Sequence, residues 1–226
     1  MSAADDIFLY WASGSPPCWM VMIVLEEKNL SGYGNKLISI SAKEHKSEDI
    51  MKINPRGQVP TFKHGDIILN ESKGVCHYLE NRFKTQGMKL IPDDPMTQAR
   101  VLQRMYESEN LTEKGVKNIA YYIWRTPKEK INETYLDDKR KELKEDVMIW
   151  ENYLSSGTDY LCGDYFTMAD VYFYPVLAFL VRCGICLDSR PSLKKYYEKL
   201  SARPSIVASW PPHYKETSPS DMFQGI

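Results

Sequence analysis

Between residues 7 and 83, runs of strand length alternate with runs of helix length, and no other feature constrains the fold as strongly. Residues 7–11 read as a strand, 18–28 as a helix, 36–40 as a strand and 47–53 as a short helix. Residues 59–63 and 67–70 then flank His64-Gly65-Asp66, a hairpin signal, ahead of a helix from Glu71 to about Phe83. A strand, a helix and a second strand return by a crossover, which requires parallel pairing with helices on the sheet faces, while the hairpin adds an antiparallel edge. Pro60 suits the first residue of a strand. The expected order is βαβα followed by ββα.

From Lys84 to Pro95 the chain turns to charge and turn formers, and beyond that the pattern is helical. The periodicity predicts a helix over residues 94–123, interrupted by the polar run Glu107 to Asn110, and another over 132–156. Thr167 and Asp170 form a shortened capping box, with Phe166 and Val171 at the hydrophobic-staple positions. The helix after them is apolar nearly all round, which predicts the central buried helix of a second domain, kinked at Pro175. The boundaries are drawn at 1–85 for the first domain, 86–95 for a linker and 96–226 for the helical domain.

A chain of 226 residues buries a sizeable core without staples or metals, and its formal net charge of -1 gives no electrostatic case for a nucleic-acid or anionic-membrane partner. A small neutral or zwitterionic ligand is the expected guest. The first residues carry acid where a signal peptide carries positive charge, and the apolar stretch 171–181 is too short to span a bilayer. Five cysteines, an odd number, predict reduced thiols and a cytoplasmic setting. Cys183 and Cys186 have zinc spacing but no second pair, so packing is the expected role. His64 and His77 carry no partnered motif and read as surface or edge residues.

Three stretches carry chemistry. Ser15-Pro16-Pro17-Cys18 has the spacing of a redox Cys-x-x-Cys with serine in place of the first thiol. Ser15 falls just before a helix, where unpaired N–H groups and the positive dipole end favour an anion; it reads equally well as a simple cap before a first-turn proline. Cys18 is expected to be an inert core thiol. Gln58-Val59-Pro60 leads into a strand and leaves the Val59 backbone able to pair with a peptide-like ligand, next to Ser15 if the Val59–Pro60 bond is cis. Glu71-Ser72 opens a helix, placing a hydroxyl and N–H groups for a carboxylate and an acid for an ammonium.

Taken in this order, these motifs and residues 161–171 resemble the cytosolic glutathione transferases over nearly the full length. The resemblance implies an α/β thioredoxin-like domain followed by an all-helical domain. Residues 14–19 look like the serine-type classes (theta, delta, zeta), and residues 54–66 with 209–214 look most like the rho class. By this resemblance Ser15 donates to the glutathione sulfur and Val59, with Pro60, pairs with the cysteinyl backbone. Glu71 and Ser72 hold the γ-glutamyl end with Gln58 nearby, while His45 and Lys46 hold the glycyl carboxylate. Trp11, Ala12, Tyr106, Asn110, Tyr121, Trp124 and the aromatic tail 209–214 are expected to converge on a cleft for an apolar electrophile. Glutathione is then a co-substrate, no cofactor or metal is called for, and the enzyme is a homodimer. Glutathione-dependent isomerisation of the zeta type and a non-catalytic interaction module are the alternatives. Departures from the family pattern are Tyr10 and Ser13 as neighbouring hydroxyls, Arg56 where other classes carry an aromatic interface key, and Lys73 where delta-type chains often carry arginine.

Overall fold

The computed structural model describes Ala4 and residues 6–226; the acidic residues at the start, read above for a leader, lie partly outside them. The chain divides into two compact units, one of Met1–Lys89 with Pro204–Thr217, the other of Leu90–Arg203 with Ser218–Ile226. The helical half is therefore not one uninterrupted stretch, because the chain returns to the first unit near its end.

In the first unit β1 (Ile7–Trp11), α1 (Pro16–Glu27), β2 (Gly34–Leu37), α2 (Glu48–Ile53), β3 (Thr61–His64), β4 (Ile67–Leu69) and α3 (Ser72–Arg82) follow the expected order. The sheet runs β2-β1-β3-β4, with β1 parallel to β2 and antiparallel to β3, which pairs antiparallel with β4. Gly65, at φ +56, turns the β3–β4 hairpin. Strand β2 begins and ends earlier than its apolar residues suggest. Gly34 lies opposite Phe8, so close that an added Cβ would sit 2.6 Å from the ring, and Leu37 remains 51% exposed. Backbone pairing places this edge strand, whereas apolar patterning reports buried side chains.

Helix α1 buries Cys18, Trp19, Met20, Val21, Ile23, Val24 and Leu25 and packs on α3. Where the two helices end, Lys28 and Glu80 form a buried ion pair at 2.6 Å. Removing one partner would strand the other charge in the core. His64, which carries no partnered motif in the sequence, is half-buried at the end of β3: its Nδ1 hydrogen-bonds the Tyr78 hydroxyl at 2.9 Å and its ring stacks on Phe83. The returning segment adds α9 (Pro204–Ala208), packed on α1, and later α10 (His213–Glu216). There the Ser205 hydroxyl donates to Glu27, and the Trp19 indole N–H donates to Ser209 Oγ at 2.9 Å.

The second unit is all helical: α4 (Pro95–Leu111), a wider π-wound segment (Thr112–Tyr121), α5 (Tyr122–Arg125), α6 (Glu133–Leu154), α7 (Met168–Arg182) and α8 (Pro191–Ser201). The predicted break at Glu107 to Asn110 does not occur. Those residues continue α4, and the irregular winding starts at Thr112. Gly115 within it lets Leu180 approach so closely that an added Cβ would lie 2.6 Å from Leu180 Cδ2. Asp94 caps α4 by accepting from Thr97 N at 2.8 Å, and Asn132 caps α6 by accepting from Tyr135 N at 3.1 Å. Thr167 and Asp170 make the capping box of α7, whose residues from Met168 to Leu180 are all buried around Pro175. Among the described residues no helix is long and apolar enough to cross a membrane.

Candidate functional site

The first unit brings the three chemical stretches to the loops and helix starts around its sheet. Ser15 is the N-cap of α1, half-buried, with extended backbone angles, and its side chain caps no backbone N–H. Pro16 and Pro17 occupy the first two helical positions, and neither has an N–H. Trp19 N already bonds Ser15 O at 3.0 Å. Of the donors that a helix start normally presents, only the Cys18 N–H therefore remains. The two prolines keep the dipole but remove most of the amide donors on which an anion would sit. A hydroxyl at Ser15 supplies what they take away.

Cys18 behaves as the sequence leads one to expect. Burial pushes its thiol up to about 11, against hydrogen bonds to the sulfur from the Ser15 side chain and the Ala12 N–H that pull it down. It is a neutral core thiol at neutral pH.

The two other hydroxyls near Ser15 are placed differently. Tyr10 is half-buried in β1, opposite Thr61, with its ring 4.9 Å from that of Phe8. Ser13 Oγ lies 2.6 Å from His213 Nδ1.

The Val59–Pro60 bond is cis, the condition under which its backbone was expected to sit near Ser15. Val59 makes no backbone hydrogen bond among the described residues, and β3 pairing starts only at Thr61. The loop before it is fixed from below, where the Asn54 side-chain amide donates to Gln58 O at 2.8 Å and to Thr61 Oγ1 at 2.9 Å. Pro60 is buried and the Gln58 side chain faces solvent.

Glu71 is the N-cap of α3 and Ser72 its first residue. This helix start has no proline and keeps its N–H donors, so it suits a carboxylate where α1 suits a softer anion. The Glu71 carboxylate is already met by Arg56, Nη1 to Oε1 at 2.5 Å, with both side chains about 70% exposed. An exposed pair of this kind is worth about 1 kcal/mol or less, so a ligand ammonium can compete for Glu71. Sequence reasoning gave Arg56 no part in this pair because nothing local links positions 56 and 71.

His45 sits in a single 3-10 turn, Glu44–Lys46, half-buried, with its Nδ1 enclosed and unpartnered. Burial, then Lys46 and Lys43, hold its pKa below the ordinary imidazole value. Lys46 Nζ donates to Arg56 O at 2.7 Å, which ties this turn to the Arg56 loop.

Of the residues expected around an electrophile, Ala12 is buried and Trp11 is half-buried, its indole N–H donating to Asn35 Oδ1 at 3.0 Å. In the helical unit Tyr106 and Trp124 are 72% and 57% exposed, Tyr121 lies beside Trp124, and Asn110 is exposed. The tail residues Trp210 and Tyr214, expected at the cleft, pack edge-on against Trp19 at 5.3 and 6.2 Å within the first unit. Among the described residues no group of three or more His, Cys, Asp or Glu could hold a metal ion.

Comparison with known proteins matches residues 9–87 to the family model "Glutathione S-transferase, N-terminal domain" and residues 117–204 to "Glutathione S-transferase, C-terminal domain". Glutathione S-transferase A of Pleuronectes platessa is 47% identical over 226 residues, 99% of this chain and 100% of that one. A glutathione S-transferase from the Antarctic clam Laternula elliptica superposes with a TM-score of 0.89 at 41% identity, covering 98% of this chain and 99% of that one. A delta-class glutathione transferase of Nilaparvata lugens shares the fold, with a TM-score of 0.80 at 24% identity over 96% of this chain and 98% of its own.

Proposed function

The chain belongs to the cytosolic-type glutathione S-transferase family, enzymes that join glutathione to electrophiles, and on that premise we propose that Ser15 is the residue that keeps the glutathione sulfur ionised. The observation that carries this is the uncapped Ser15 hydroxyl above two prolines at the start of α1. A thiol with a pKa of about 8.5 needs roughly 2.7 kcal/mol of preferential anion stabilisation to fall by two units. A charge-assisted hydrogen bond and a helix dipole together supply about that much without a buried base.

The rest of the peptide is then held piecewise. Val59 offers its unpaired backbone to the cysteinyl residue, with Pro60 fixing the turn and Gln58 beside it. Ser72 and the α3 start take the γ-glutamyl carboxylate while Glu71, leaving Arg56, takes the ammonium. His45 and Lys46 take the glycyl carboxylate. Trp11, Ala12, Tyr106, Asn110, Tyr121 and Trp124 are proposed to favour an apolar acceptor, and the exposed rings of Tyr106 and Trp124 support that reading. Among serine-type classes the chain is placed nearest rho, as a cytoplasmic homodimer using no cofactor besides the co-substrate. Turnover of an aryl halide rather than a cis-enone diacid separates transfer from isomerisation, and measurable glutathione binding separates both from a non-catalytic module.

Titration of bound glutathione by its thiolate absorbance tests the central assignment. Ser15→Ala should raise the apparent pKa by more than one unit, equivalent to about 1.4 kcal/mol or more, whereas Tyr10→Phe should leave it in place. An unchanged Ser15→Ala beside a shifted Tyr10→Phe would move the donor to Tyr10.

A further inference from the structure

We propose that His213, from the returning tail, is a positioning residue for the thiolate site: it engages the Ser13 hydroxyl and fixes the loop that presents Ser15. The proposal rests on the reading of Ser15 given above.

Two contacts join the pair. Ser13 Oγ lies 2.6 Å from His213 Nδ1, and the His213 backbone N–H points at the same oxygen from 3.5 Å. The backbone can only donate, so Ser13 Oγ accepts there, and in the bond with Nδ1 Ser13 is the donor when the proton of the neutral ring sits on Nε2. In that tautomer the Ser13 proton is used on the ring and is not offered to a guest sulfur. The Ser15 side chain bonds the Cys18 sulfur, a neutral thiol and weak acceptor that an anionic guest sulfur can displace, so Ser15 is the freer donor of the two.

Gly14, between the two serines, makes the same point in steric terms. It has φ +75, a region glycine occupies at little cost, and a Cβ there would collide with His213 Cε1 and lie 3.1 Å from Tyr214 Cε1. The tail therefore lies directly on the loop. It is anchored on both flanks, by Trp19 Nε1 on Ser209 and by the rings of Trp210 and Tyr214 against Trp19. Trp19 belongs to the helix that starts directly after Ser15, so tail, loop and helix start are held as one piece.

The test uses the full-length enzyme with glutathione and an aryl halide, comparing Ser13→Ala, His213→Ala, the double variant, His213→Asn and His213→Gln, with Ser15→Ala as reference. Ser13→Ala and His213→Ala should each raise the apparent pKa of bound glutathione by about half a unit, a roughly threefold loss of thiolate below the pKa. The double variant should match either single one. His213→Asn, whose amide oxygen falls near the Nδ1 position, should restore the wild-type pKa, and His213→Gln, which reaches towards Nε2, should not. Melting temperatures are recorded in parallel, because a tail that only stabilises would lower them and leave the thiol pKa alone. An unmoved pKa in both single variants while Ser15→Ala shifts it would overturn the role of His213, as would additive single effects or equal rescue by Asn and Gln. An unmoved pKa in Ser15→Ala would instead remove the reading beneath it.

Discussion

At the scale of single residues, the site is shaped by what its neighbours have given up. Pro16 and Pro17 lack the amides that would otherwise cradle an anion, Ser13 is engaged by His213, and Cys18 is buried as a neutral thiol. Ser15 keeps a hydroxyl that caps nothing. His45 offers a separate handle. Its pKa is held low by burial and by Lys46 and Lys43, and a ligand carboxylate beside the ring would raise it, so binding would take up a proton. The sign follows: affinity should strengthen as pH falls through the region below about 6.5 and level off once both forms are protonated. S-methylglutathione, which has no titrating thiol, isolates this effect in calorimetry. His45→Gln should bind more weakly and lose the acid-side gain. Of these residue-level features, the Ser15 turn and the Glu71-Ser72 helix start were legible in the sequence because local spacing encodes them. The Arg56–Glu71 pair and the Ser13–His213 bond were not, since each joins positions that only the fold brings together.

At the scale of elements, the helices were easier to read than the strands. Thr167 and Asp170 announce α7, and Asp170 proves to hold more than a cap. Its carboxylate accepts from Thr167 N at 2.8 Å and from Leu161 N, Thr167 Oγ1 and Tyr196 Oη at 3.0 Å each. Burial pushes its pKa up, and the four donors pull it back. Asp170→Ala should lower stability in urea by about 3 kcal/mol, because several buried donors lose their acceptor at once. Thr167→Ala, which removes one cap bond, should cost about 1 kcal/mol. Strand β2 was misplaced because an exposed edge strand is held by backbone pairing and shows little apolar pattern. The polar run in α4 misled for the opposite reason, since Arg104 and Glu107 pair on the helix at 2.5 Å and satisfy charge that resembled an interruption.

At the scale of the whole molecule, five cysteines without a disulfide are sorted by burial. Cys18, Cys76, Cys162 and Cys183 are buried and Cys186 is exposed. Burial pushes Cys18 and Cys162 up to about 11 and raises Cys76 and Cys183 as well. A disulfide reagent at neutral pH should therefore find one fast thiol per native chain, and Cys186→Ser should abolish that phase. Reaction at Cys18, which has no exposed surface, should need unfolding. The alternation of elements and the switch to helices revealed two architectures, but no local pattern signalled that residues 204–217 rejoin the first unit. The polypeptide thus passes from one unit to the other three times. A ribosome has emitted nearly all of it before the indole of Trp19 gains its cover, and a chimera that exchanges everything after residue 89 trades away that cover along with the helices.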